Sequence, residues 1–219
     1  MNTVTFSDKN SYEDFGLVLG KKQIGEAVAR TKYVNVPARD GVLDFTEAFG
    51  EVTYENRTLV FWLQYIGADS DWLATLSALT NYLQGRKHKI FIEPDYYWEG
   101  RCVVKAADSD KGLREIEVEC DCGPYKKRLE DTIIEVTASG ADIVKTIMND
   151  RRTVTPKITV LSGAPTLSWT DQKTGATFTQ ALPSDFDNKI LDFRFYEGVN
   201  AFTLSGTGSI RLTYREESL

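Results

Sequence analysis

Three cysteines and a single histidine are the residues of this 219-residue chain best suited to metal or nucleophile chemistry. Cys120-Asp121-Cys122 has the spacing of half a metal site, but a structural zinc centre needs four ligands and His88 is the only histidine to complete it. An odd cysteine count argues against a disulfide framework, so Cys102, Cys120 and Cys122 read as reduced thiols packed as small hydrophobes. His88 stands among Arg86, Lys87 and Lys89, where positive neighbours oppose an imidazolium, and reads as a surface residue at a helix end rather than a catalytic base. Gly206-Thr207-Gly208 lacks the following helix that would give a phosphate its amide cradle. With 32 acidic residues some carboxylates always fall near one another, so a carboxylate pair carries no information here. The expectation is no enzyme: no catalytic residue, no metal ligand and no cofactor.

Binding is the remaining chemistry. Tyr96-Tyr97-Trp98 sits at the bend of an expected hairpin, where aromatic rings could anchor a protein partner or stack on a sugar, or fold back on their own domain. Trp169 is the only tryptophan of the C-terminal part and could serve a carbohydrate site or a core. Five acids, Asp40, Asp44, Glu47, Glu51 and Glu55, follow one another with no Lys or Arg between the first and the last. They share their stretch with Leu43, Phe45 and Phe49, apolar residues in an extended segment that is too acidic to be core.

The elements that position these residues are mostly strands. Thr31 to Val36 is one, ended by Pro37 and turned at Asp40-Gly41, where glycine accepts positive φ without steric cost. Phe15 to Gly20 is a short strand, and Thr58 to Ile66, apolar on both faces, reads as a buried central one. One helix is convincing: Trp72, Leu76, Leu79 and Leu83 form a stripe, Ser70 or Asp69 is the candidate cap, and Gly85 the stop. Its stripe packs on a sheet or contacts a neighbouring subunit. Lys89 to Glu93 and Gly100 to Lys105 make the aromatic hairpin, Asp108 to Gly112 is a turn, and Leu113 to Cys122 is a half-exposed strand. Lys126-Lys127-Arg128 reads as a linker. Beyond it, Ile143 to Met148 is expected to pair with Thr153 to Leu161, followed by strands at 166–170, 176–182, 190–195, 201–205 and 209–214. That spacing predicts a β-sandwich.

Composition narrows the class. The hydrophobic fraction of 42% is ordinary for a globular chain, and no run approaches the roughly 18 apolar residues of a membrane helix. A net charge of −6 argues against tight nucleic-acid binding, and Met1 to Phe6 lacks the layout of a signal peptide, which places synthesis in the cytoplasm.

The run VPARDGVLDFTEAFGEVTYENRTLVF, a helix ending NYLQGRKHKIFIE, the motif YYWEGR and the C-terminal ILDFRFYEGVNAFTLSGTGSIRLTYRE together resemble the distal tail proteins of long, non-contractile-tailed phages. The resemblance implies a mainly β chain. Residues 1–128 would be a ring-forming domain, a β-sandwich or split barrel with one α-helix, and residues 129–219 a galectin-like β-sandwich. It implies a structural virion protein made in the bacterial host and assembled as a homo-hexameric ring at the tail tip. There it would join the tail-tube protein to a tail-tip or tail-associated protein, offer a platform to a receptor-binding protein, and let DNA pass without specific binding or membrane insertion. Within that frame Leu43, Phe45, Phe49, Tyr96, Tyr97 and Trp98 are expected at the ring interface, and Asp40, Asp44, Glu47, Glu51 and Glu55 at the channel. Six copies at −6 each would carry roughly −36, a field that repels phosphate. The second domain leaves no room for an inserted sugar-binding module. The competing reading is a carbohydrate-binding module for host-surface recognition.

Overall fold

The computed structural model describes residues 2–48, 50–108, 114–150 and 152–219. The fold is mainly β with one α-helix, and the chain divides into two compact units, residues 1–126 and 127–219.

The first unit is an antiparallel sheet built from β1 (Thr5–Phe6), β2 (Lys9–Asn10), β3 (Leu17–Ile24), β6 (Arg57–Tyr65), β7 (Arg86–Phe91), β8 (Tyr96–Asp108) and β9 (Glu115–Cys122). The strand order is β2-β1-β7-β8-β9-β6-β3. Two backbone hydrogen bonds run from the far end of this path to its beginning, Leu19 N–H to Asn2 (2.9 Å) and Leu17 N–H to Ser11 (2.8 Å). They curl the sheet toward closure. Between β3 and β6 a separate two-stranded ribbon projects, β4 (Tyr33–Asn35) paired with β5 (Val42–Asp44).

Strand β6 takes the central position expected of it, between β9 and β3, but only one of its faces is core. Leu59, Phe61 and Leu63 are fully buried, while Val60 and Trp62 are half-exposed and Lys21 lies 4.5 Å over the Trp62 ring. An apolar run does not need cover on both sides when a lysine stem can shield an indole.

The helix α1 (Trp72–Leu83) covers the core face, and the stripe read from the sequence is its buried side, with Trp72, Leu79 and Leu83 buried and Leu76 packed beside them. Neither Ser70 nor Asp69 caps it. A 3-10 turn over Asp69–Asp71 leads in instead, Asp69 is ion-paired with Arg114 (2.6 Å), and Arg114 stacks over Trp72 (5.7 Å). The helix ends where Gln84 N–H reaches Thr80, immediately before Gly85.

The second unit contains β10 (Lys126–Arg128, from the boundary), β11 (Thr132–Ser139), β12 (Ile143–Asn149), β13 (Lys157–Gly163), β14 (Thr166–Thr170), β15 (Thr177–Ala181), β16 (Asp187–Lys189), β17 (Gly198–Ser205), β18 (Thr207–Tyr214) and β19 (Glu217–Ser218). Two four-stranded antiparallel sheets, β11-β18-β13-β16 and β12-β17-β14-β15, form the sandwich. Their shared core is aromatic: Phe193 lies 5.2 Å from both Trp169 and Phe195 and 5.6 Å from Phe202.

Two expectations fail here. Strand β12 does not pair with β13; it pairs with β17, while β13 joins β18 and β16 in the opposite sheet. Asn149, 2% exposed, fixes the departure from β12 by donating to the carbonyls of Arg152 (2.8 Å) and Phe195 (2.9 Å). Residues 190–195 alternate like a strand but form no ladder beyond one bridge from Phe195 to Val154. Their alternation serves to insert Phe193 and Phe195, each 1% exposed, into the core, and the Asp192 carbonyl is taken by the Trp169 indole (3.0 Å).

Candidate functional site

From Gly20 to Asn56 no described residue is buried. This is an arm, and main-chain bonds hold it. Gly25 N–H donates to Thr58 (2.8 Å), Arg30 N–H to Thr53 (2.8 Å), Glu55 N–H to Val28 (2.8 Å) and Phe45 N–H to Lys32 (2.8 Å). The register of β4 on β5 sets Tyr33 opposite Asp44, Val34 opposite Leu43 and Asn35 opposite Val42. At the root, a Cβ on Gly25 would stand 2.7 Å from the Thr58 carbonyl, so only glycine lets the two rails approach this closely. At the tip, Gly41 has φ +76, as its turn demands, and Ala38 takes φ +63, a costly conformation for a residue with a side chain.

The arm exposes apolar surface that an isolated hairpin could not hide. Val28 is 55% exposed, Tyr33 57%, Val42 53% and Phe45 38%, and an open groove of about 680 Å³ runs beside Phe45, Ala29, Ala48 and Val52. Exposed apolar surface gathered on one projecting element marks an interaction site rather than the scattered exposure normal for any protein.

The expected site residues fall into distinct environments. Phe45 is exposed and Leu43 half-buried, both on the arm, and Phe49 lies outside the described residues. All five acids of the arm are exposed. Glu55 pairs with Arg30 (2.8 Å), and Asp44 accepts the Thr46 N–H (2.8 Å); the Thr46 side chain, with that amide, holds the Asp44 carboxyl below the usual range. Tyr96 is half-buried with the Lys126 ammonium 4.6 Å over its ring. Tyr97 and Trp98, at 3% and 5% exposure, have no side-chain surface left to offer a partner.

The histidine and the three cysteines are packed inside the first unit. His88 is buried, contrary to the surface position expected of it, because it lies on the core-facing side of β7 and not at the helix end. Its Nε2 contacts the Tyr82 carbonyl and its Nδ1 the Ser7 hydroxyl, both at 3.2 Å, so the ring ties helix, strand and N-terminal turn together. Tyr82 in turn donates toward Asp8 (2.6 Å); burial and that carboxylate push its phenol up to about 12. The three cysteines are free and buried, and desolvation pushes the Cys122 thiol up to about 12. Among the described residues no group of three or more His, Cys, Asp or Glu could hold a metal ion, and no helix is long and apolar enough to cross a membrane.

On the sandwich, Trp169 is 7% exposed and stacked on Phe178 at 5.4 Å, so it is core and offers no platform to a sugar ring. The two outer faces of the sandwich differ. That of β11-β18-β13-β16 is charged and ion-paired, Arg211 with Glu135 (2.7 Å) and Lys157 with Asp187 (2.7 Å). The outward residues of β12-β17-β14-β15 are Thr, Ser, Ala, Val and Met with no charge, and Val144, Met148 and Val199 are at least 60% exposed. Charge-poor, exposed sheet faces are also docking surfaces. Nothing in the sequence singled this face out, because its residues come from four strands whose pairing the alternation does not reveal.

No protein-family model matches the chain, and no curated protein does. Among solved structures it is similar to the crystal structure of the SPP1 Dit protein (gp 19.1), described as a paradigm of the hub adsorption apparatus in phages that infect Gram-positive bacteria. The TM-score is 0.66 at 16% sequence identity, over 99% of each chain. Both units of this protein, in their order along the chain, therefore share the fold of that phage protein from end to end.

Proposed function

We propose that this chain is a structural protein of a phage tail, placed in the virion at the distal end of a non-contractile tail. Copies meet head to tail, the arm and neighbouring edges of the first unit making a six-membered ring that joins the tail tube to the tail-tip proteins. The sandwich serves as the attachment platform, its uncharged β12-β17-β14-β15 face receiving a baseplate or receptor-binding partner. DNA passes through the ring without specific binding, hindered from sticking by acids of the arm, Asp40, Asp44, Glu47, Glu51 and Glu55. Leu43, Phe45 and Tyr96 are the ring contacts among the residues that keep surface to offer.

The observation that carries this reading is the end-to-end fold likeness to a phage hub protein. The arm supports it: a ring of identical subunits needs a heterologous contact, and a projecting ribbon with open edges supplies one. A structural role also uses the exposed surface that a catalytic reading leaves unexplained. Negative-stain microscopy with the neighbouring tail proteins, together with mass by light scattering, tests it. Annuli of six subunits are expected. Monomers that add to neither tube nor tip proteins would end the proposal.

A further inference from the structure

The two rails of the arm carry opposite charge. Above its root at Gly25, the outgoing rail to Arg39 holds Arg30, Lys32 and Arg39 against Glu26 alone; Lys21 and Lys22 lie lower, on β3 opposite Trp62 and Phe61, and Arg30 is paired with Glu55 of the same arm (2.8 Å). The returning rail, residues 40–56, holds five acids and no base. Among the described residues the β4–β5 ribbon has no third strand, so the outer edge of each of its strands is open. Lysines along an open edge commonly serve to discourage pairing with another chain. Here the same ribbon offers a second edge of opposite sign, and the discouragement turns into selection.

We infer that the partner of this arm is a second copy of the same arm, the basic rail of one copy lying beside the acidic rail of the next. This rests on the ring reading above and specifies its contact. Arms that point the same way around an axis bring an outgoing rail next to a returning one, which is an antiparallel arrangement, so the hydrogen-bonded ladder continues from copy to copy. Like rails repel, so the pairing cannot close as a face-to-face dimer and must propagate head to tail.

A charge-swap experiment on the full chain tests it. One variant carries Lys32→Glu with Arg39→Glu, the other Glu47→Lys with Glu51→Lys; all four side chains are exposed. Sedimentation at low salt should show association of the wild type that fades as salt rises. Each variant alone should lose it, and an equal mixture of the two should recover it by alternation. Variants that associate as the wild type does, or a mixture that stays apart, would overturn the inference. So would a wild type that remains monomeric at low salt, where the attraction is strongest. Should either variant fail to fold by circular dichroism, the single changes Arg39→Glu and Asp40→Lys at the tip replace it. Wild-type annuli in the microscope with unaffected charge variants would leave the ring reading standing and remove this contact from it.

Discussion

The arm and the sheet that carries it are continuous, since β3 runs outward into one rail and the other returns as β6. Along β6 Arg57, Leu59, Phe61 and Leu63 are buried at alternate positions, whereas no described residue of the rails between Gly20 and Asn56 is buried. The body is held by side chains meeting side chains, the arm by amides meeting carbonyls. Side chains in the body are committed to the fold, and those in the arm are available to something else. An extended hairpin with no packed face is marginal by itself in water, so the arm draws its order from its root and, in the proposed assembly, from its neighbours.

This contrast can be broken by measurement. Phe61→Ala removes a fully buried ring stacked edge-on against Phe6 at 5.8 Å, and should cost about 3–5 kcal/mol in urea unfolding. Next comes Asn200→Ala. Asn200 accepts the Tyr196 N–H (2.8 Å) and donates to the carbonyls of Tyr196 (2.7 Å) and Gly198 (3.0 Å). Leaving those groups buried and unpaired should cost about 1–3 kcal/mol, which would show a polar loop of the sandwich behaving as core does. Acid titration probes the same loop. The Tyr196 hydroxyl and the Thr174 amide hold the Asp171 carboxyl down at about 2. Its contribution is therefore present above the ordinary carboxylate pKa and lost as pH falls from about 4 towards 2. Thermal melts of Asp171→Asn should lose that part of the acid dependence. Tyr82 works in the opposite direction: its phenol is pushed up to about 12, so its contribution is present below pH 10 and lost as pH climbs from there. Tyr82→Phe should flatten the alkaline limb. Smallest for the monomer is Phe45→Ser, expected within about 0.5 kcal/mol of wild type by urea unfolding, although it should weaken assembly. A Phe45→Ser loss comparable to that of Phe61→Ala would erase the distinction between arm and body.

Much of the fold was legible because it is local. The stripe Trp72, Leu76, Leu79, Leu83, the hairpin from β7 to β8 and the strands β14, β15, β17 and β18 all follow from periodicity and turn residues close in sequence. What failed needed long-range information. Strand β12 is next to β13 along the chain, and nothing in its alternation distinguishes that neighbour from β17, some fifty residues on. Residues 190–195 show a strand period with no strand to pair with. The acids of the arm could be read one by one, but their opposition to Arg30 and Lys32 exists only once β4 is laid on β5. The sequence reads Tyr97 and Trp98 into the bend of their hairpin, facing a partner or folded back; they instead lie at the start of β8, paired with Phe91 and Ile90, and their side chains are buried, which the bend residues alone could not reveal.

Gly25 and its bond to Thr58 have one more consequence. Because most joints between the rails use main-chain atoms that every residue except proline possesses, the outline of the projection depends little on what hangs from it, provided position 25 stays glycine. A lineage of such proteins could trade most of the side chains there to suit a new companion and still keep the same silhouette.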